Sequence, residues 1–203
     1  MIRLCLFLIA LALPVHATQD AWPSLHAVVG VAADDVLNVR DAPSARAGIV
    51  GSLAPDATGI EVIRLSDDQR WGLVNTGERS GWVSMAYMQR LAGQYDGAPF
   101  PVASCFGTEP FWDLEMAADW TLRTPAGVEW RAPAAPLAGS VMRRDRHGAV
   151  TLTTDGRPVA LLTVAQACTD GMSDRAYGLG VSLMVGTGQD MEFRSGCCTL
   201  QSR

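Results

Sequence analysis

The chain has no lysine; all 16 of its basic residues are arginines. They are scattered along the chain, 21 acidic residues outnumber them, and the formal net charge is −5. Nucleic-acid binding needs a concentrated positive face, so the composition argues against that class and no nucleic-acid partner is expected. We read the missing lysine as genome composition, not mechanism. Histidine is also scarce, with three in 203 residues. Nucleophilic catalysis by serine usually needs an imidazole as base. Past the N-terminus only His26 and His147 could supply one, so little in the chain favours such chemistry. Apolar residues still make up 48%, which is enough for a globular core and argues against global disorder.

The apolar run Leu4 to Leu13 holds about ten residues, too few to span a bilayer as a helix. It follows the short positive start Met1-Ile2-Arg3 and precedes Pro14-Val15-His16-Ala17. That order predicts a signal peptide over residues 1–17, cleaved after Ala17, with no stable membrane anchor afterwards. Cys5 sits too early to be the lipidated cysteine of a lipoprotein signal. The predicted location is periplasmic or secreted.

Export leaves Cys105, Cys168, Cys197 and Cys198 in an oxidising compartment, where they predict two disulfides. Neighbours on a strand point to opposite faces, so Cys197 and Cys198 are expected to find separate partners. We favour Cys168–Cys197 and Cys105–Cys198. Metal ligation is the weaker reading, because no histidine accompanies the cysteines. No metal and no cofactor is expected.

Residues 22–91 carry short alternating runs separated by turn clusters. Leu37-Asn38-Val39-Arg40, Ile49-Val50-Gly51-Ser52-Leu53, Ile60-Glu61-Val62-Ile63, and Trp71 to Met88 with its inner turn Asn75 to Gly81 read as strands. With His26 to Val31, about five short strands predict a small barrel or sandwich. Trp71 and Trp82 are expected to pack its interior, and Tyr87 to be exposed. Arg40 is either a groove residue for a carboxylate or a surface partner of Asp41. The loops Asp41 to Ser44 and Asp67 to Gln69 are the expected rim of a groove. Residues 92–104, rich in Gly and Pro and without periodicity, read as a linker.

Residues 105–203 show denser hairpin signals. Trp112, Leu114 and Met116 alternate with Asp113 and Glu115; Val128 and Trp130 alternate with Glu129 and Arg131. Asp155-Gly156 is a favoured two-residue hairpin turn, and His147-Gly148 is read as a solvated turn. About eight antiparallel strands predict a second, barrel-like domain. The fold class is therefore all-β, a small barrel followed by a larger one.

Leu37-Asn38-Val39-Arg40, Pro43-Ser44, Ile49 to Leu53, Trp71-Gly72-Leu73-Val74, Gly81-Trp82-Val83 and Tyr87 resemble the bacterial SH3 domain. Their order and spacing cover nearly all of residues 22–91; Pro55-Asp56 stands where the family commonly has a Gly-led turn. The resemblance implies an SH3-like barrel that docks a cell-wall peptide or an envelope protein and is not catalytic. Gly107-Thr108-Glu109-Pro110-Phe111-Trp112, Cys168 to Tyr177 and Gly196-Cys197 resemble a family of small β domains of the Gram-negative envelope, which implies no particular activity. In architecture alone this half also resembles small periplasmic barrels that inhibit lysozyme.

The candidate ligand-binding residues are Arg40, Asp41, Trp71, Tyr87, Asp170, Asp174 and Arg175. The expected function is non-enzymatic binding in the cell envelope. One alternative is a modulator of envelope lytic enzymes acting through the second barrel. Another is a hydrolase using Asp170, Asp174 and Glu109, since paired carboxylates can do acid–base work. Against both stands a plainer expectation, that Asp170 and Ser173 cap a turn and Asp174 pairs with an arginine.

Overall fold

The computed structural model describes residues 21–201. The predicted signal peptide, its cleavage position and Cys5 lie outside them. The short alternating runs of the first half form strands β1 (Ser24–Val28), β2 (Leu37–Arg40), β3 (Ile49–Leu53), β4 (Ile60–Val62), β5 (Arg64–Leu65), β6 (Trp71–Thr76), β7 (Arg79–Ser84) and β8 (Met88–Arg90). They pair antiparallel in two sheets, β3-β2-β7-β6-β5 and β4-β1-β8. Both sheets contribute to one valine-rich core: Val28, Leu37, Val39, Val62, Val74, Val83 and Met88. More strands form than expected because the chain breaks at Ile63 and returns after Tyr87 as β8.

The two tryptophans expected inside this barrel are only half-buried. Side chains alternate between the faces of a strand. In β7 the inward positions are Gly81 and Val83, so Trp82 faces out, across from Leu73 of β6. A Cβ on Gly81 would lie 2.5 Å from a Val39 methyl, so the inner face has no room there for a larger residue. The Arg64 guanidinium covers the Trp82 ring at 4.8 Å, a cation–π contact. Trp71 falls on the same outer face at the start of β6.

The second half forms β9 (Ser104–Thr108), β10 (Phe111–Met116), β11 (Asp119–Thr124), β12 (Gly127–Pro133), β13 (Ala138–Gly139), β14 (Arg146–Leu152), β15 (Pro158–Cys168), β16 (Tyr177–Val185) and β17 (Glu192–Thr199). Their order is β12-β11-β10-β9-β17-β16-β15-β14-β13. The first and last strands of this half, β9 and β17, are thus neighbours at the middle of one curled antiparallel sheet. Its ends meet where Thr151 Oγ1 donates to Pro133 O (2.9 Å) and Thr154 N to Arg131 O (2.8 Å). Trp112, Trp120, Trp130, Leu114, Leu122, Leu179 and Leu183 fill the concave side. Among the described residues no helix is long and apolar enough to cross a membrane, which says nothing of a β-barrel.

The disulfides are Cys105–Cys198 and Cys168–Cys197, the pairing favoured from strand alternation. Cys198 stands opposite Cys105 in the β9–β17 ladder. Cys197 points to the other face, where Cys168, Phe106 and Tyr177 form a satellite core.

His147 corrects an expectation. It is not a solvated turn residue but lies within β14, only 1% exposed. Gly148 looked like a turn signal, yet it continues the strand opposite Leu162. The imidazole meets Phe100 edge-on at 5.1 Å, and neither ring nitrogen has a hydrogen-bond partner.

The two halves meet along a broad seam. Phe100 and Val102, from the Gly/Pro-rich connection, belong to the second core, and Leu25 of β1 packs against it. Gln94 clamps β1, accepting from Leu25 N (2.6 Å) and donating to Leu25 O (3.0 Å). Pro23 lies against Gly178, where an added Cβ would come within 2.8 Å. Glu61, the polar residue of β4, is buried in the seam and accepts from Thr199 Oγ1 and from Leu200 N (3.0 Å). Gln201 Nε2 donates to Gly59 O (2.7 Å).

Candidate functional site

Three of the four candidate residues of the first barrel line one groove of about 520 Å³. Arg40 ends β2, Trp71 begins β6, and Tyr87 sits on the 3-10 turn Met85–Tyr87 between β7 and β8. Ladder pairing brings these elements together. Arg40 is the one β2 residue paired with β7, opposite Trp82, and Trp71 pairs with Ser84. Arg40 Nη1 donates to Ala47 O (2.7 Å), which holds the guanidinium at the groove, and it forms no ion pair among the described residues. Tyr87 is tied in through its carbonyl, which accepts from Val29 N (2.9 Å), while its ring stays partly exposed.

Asp41 does not line this groove. Its amide donates to Gly48 O (3.0 Å), closing the turn after β2. The rim also differs from expectation. The segment from Gly30 to Asn38, with Asp35 and Asn38, takes the place expected for Asp41 to Ser44 and Asp67 to Gln69. Asp68 is instead occupied locally. Hydrogen bonds from the Ser66 hydroxyl and the Arg70 side chain, then the Arg70 amide, hold its carboxyl down at about 2.

The segment Cys168 to Tyr177 is a clasp on the first barrel. Asp170 accepts from Ser173 N (2.9 Å), Met172 N (3.0 Å), Ser173 Oγ (2.7 Å) and Tyr177 OH (3.4 Å). Partial burial pushes its carboxyl up, but these donors together outweigh that and hold it below the ordinary aspartate range. It therefore stays ionised, an acceptor for its own turn. Asp174 pairs through its backbone with the β6–β7 hairpin. Ser80 N donates to Asp174 O and Asp174 N to Glu78 O, both at 3.0 Å. Arg175 Nε donates to Gly77 O (2.7 Å), and its Nη2 meets Glu78 at 3.3 Å. Asn75 and Ser80 side chains bond Ala176 N and O. Asp174 and Arg175 thus join the halves, where the sequence suggested ligand contacts or a local Asp–Arg pair.

Beside the clasp lies a second concavity on the outer face of β9 and β10. One part, about 560 Å³, is walled by Phe111, Met172, Pro125 and Glu78; a smaller polar part, about 220 Å³, is lined by Glu109, Thr169 and Ser195. The parts share Phe106, Gly107, Thr108 and Asp170, so they form one trough around the clasp. Asp170 and Glu109 both line its smaller part, but Asp174 lines neither part. Ser173 Oγ is within reach of Asp170 and the Arg175 amide only. Both described histidines are buried elsewhere. Among the described residues no group of three His, Cys, Asp or Glu side chains could hold a metal ion.

Alternation alone could not have found Glu61, Glu78 or Met172, whose roles depend on how the halves dock. Phe111 carried a signal, as a large apolar residue on the polar phase of β10. No protein family, curated protein or solved structure matches this chain.

Proposed function

We propose that this is an exported, non-enzymatic binding protein whose first barrel, an SH3-like domain, docks the peptide of the cell wall or an extended segment of an envelope protein. The observation that carries this reading is the convergence of Arg40, Trp71 and Tyr87 on one groove. A half-exposed indole and a phenol give flat apolar faces with polar edges, suited to a peptide backbone. A guanidinium without a carboxylate partner gives a bidentate site for a peptide carboxylate. None of the groove residues is among those bonded across the seam, so the groove is open while the halves are docked. The two disulfides and the expected signal peptide support an oxidising compartment outside the cytoplasm.

The test is co-sedimentation of the full exported chain with purified sacculi. The wild type is expected to sediment, and Arg40→Gln and Trp71→Ala to lose most of the retention while keeping the native circular dichroism. Equal retention of all three proteins, or none by the wild type, would refute wall docking.

A further inference from the structure

We propose that the trough around the clasp is a second binding site, taking an extended segment of a basic polypeptide with an aliphatic or aromatic side chain between arginines or lysines. This goes beyond the first-barrel reading and uses a different surface, since the two sites share no lining residue.

Two observations define the occupant. The first is the apolar wall. Phe111 is 51% exposed and Met172 69% exposed, and they flank a hollow whose floor includes Phe106. Large apolar side chains left in water around a concavity mark a surface that something covers, and methionine adapts to irregular partners. The second is charge. Glu78, Glu109, Asp113 and Asp170 line the trough with one arginine, Arg123, and a second, Arg175, stands behind Glu78 at 3.3 Å, so the lining is acidic on balance. Arg123 is itself engaged by Glu115 at 2.9 Å. Such a rim repels anionic lipid and nucleic acid and attracts cationic side chains.

The site is composite. Glu78 belongs to the first barrel and is held at the trough by Arg175 and by the Asp174 backbone of the clasp. The clasp is pinned in turn by Cys168–Cys197 and by Thr108 Oγ1, which donates to Asp170 O (2.9 Å). The site therefore exists only when the two halves are docked.

The experiment is an NMR titration of the isotope-labelled, full exported chain with capped Arg-Phe-Arg-Leu-Arg. The controls are Glu-Phe-Glu-Leu-Glu and Arg-Gly-Arg-Gly-Arg. The expected result is shifts at residues 106–113, 123–125 and 170–173, with the basic apolar peptide binding about tenfold tighter than either control. Phe111→Ser and Met172→Ser are each expected to weaken it about fivefold. Arg123→Gln, which removes the one arginine of the lining, is expected to tighten it about threefold. Shifts confined to the Arg40–Trp71–Tyr87 groove, equal binding of the acidic peptide, or no shift at millimolar peptide would overturn the proposal. Should Phe111→Ser fail to fold, Met172→Ser and Arg123→Gln decide it, because both positions are solvent-exposed and the second expects a gain.

Discussion

The six tryptophans divide evenly between the two halves and behave oppositely. Trp112, Trp120 and Trp130 are buried in the large curled sheet, whereas Trp22, Trp71 and Trp82 of the small barrel are only half-buried. In the small barrel the interior is closed by valines, and its strands approach at glycines such as Gly81, leaving no volume for an indole. Its indoles become platforms. Arg90 covers Trp22 at 4.4 Å, Arg64 covers Trp82 at 4.8 Å, and Trp71 opens onto the groove. The same residue type thus packs the core in one half and lies outside it in the other, according to the core each half can build.

The sharpest break of this contrast comes from the disulfides, which the second half has and the first lacks. Cys105–Cys198 closes a sequence separation of 93 and Cys168–Cys197 one of 29. Loop-closure entropy gives roughly 4 to 5 and 3 to 4 kcal/mol respectively. Replacing Cys105 and Cys198 together by Ala should therefore lower protection of the β9–β17 amides in hydrogen exchange well before that of β2, β6 and β7. Equal loss in both halves would mean that they unfold as one body.

Next in size is indole truncation. Trp120→Ala is expected to cost about 3 to 5 kcal/mol in denaturant unfolding. Trp82→Ala and Trp71→Ala should each cost only about 1 kcal/mol, because truncating a half-buried ring on the outer face opens no cavity in the core. Comparable losses at Trp120 and Trp82 would erase the distinction between core and platform.

The seam supplies a pH dependence. Burial pushes the Glu61 carboxyl up from its ordinary 4.5 to about 7, against the lowering effect of hydrogen bonds from Thr199 and Leu200. Glu61 Oε1 has no hydrogen-bond partner. A carboxyl raised in the folded state favours folding when protonated. Its contribution is complete below pH 4.5 and is lost as pH rises through 7, amounting to about 3 kcal/mol at most. Glu61→Gln should remove that part of the decline in stability between pH 5 and pH 8.5, read by urea unfolding at each pH. A decline unchanged in the variant would contradict the assignment. The smallest effect is expected at the clasp. Arg175→Ala loses a half-exposed ion pair and one bond to a carbonyl, about 1 kcal/mol or less.

The contrast also marks what the sequence made legible. Alternation from Leu37 to Arg40 and from Trp112 to Met116 gave strands, and adjacent Cys197 and Cys198 gave the disulfide pairing, because period two is a local property. It does not say which face is inner. Hydrophobicity placed Trp82 inside, while the lack of room at Gly81 puts it outside. Nor does it show what covers an outer face. The C-terminal end of β17 closes over Glu61, which no local pattern announces, and His147 read as a turn because of the glycine beside it. In the candidate site, Arg40, Trp71 and Tyr87 were named from strand position and aromatic character, and the structure places the three on one groove. The clasp role of Asp174 and Arg175 was not, since it depends on contacts about a hundred residues apart, such as Arg175 with Gly77, whose sequence separation is 98.

The most direct test of the central claim, that the groove at Trp71 of the small barrel holds a ligand, is a calorimetric titration of residues 18–203 with a soluble cell-wall peptide. The wild type is expected to bind and Trp71→Ala to bind at least tenfold more weakly, with unfolding stability changed by about 1 kcal/mol or less. Unchanged affinity in Trp71→Ala, or a loss of affinity matched by a loss of the fold, would contradict it.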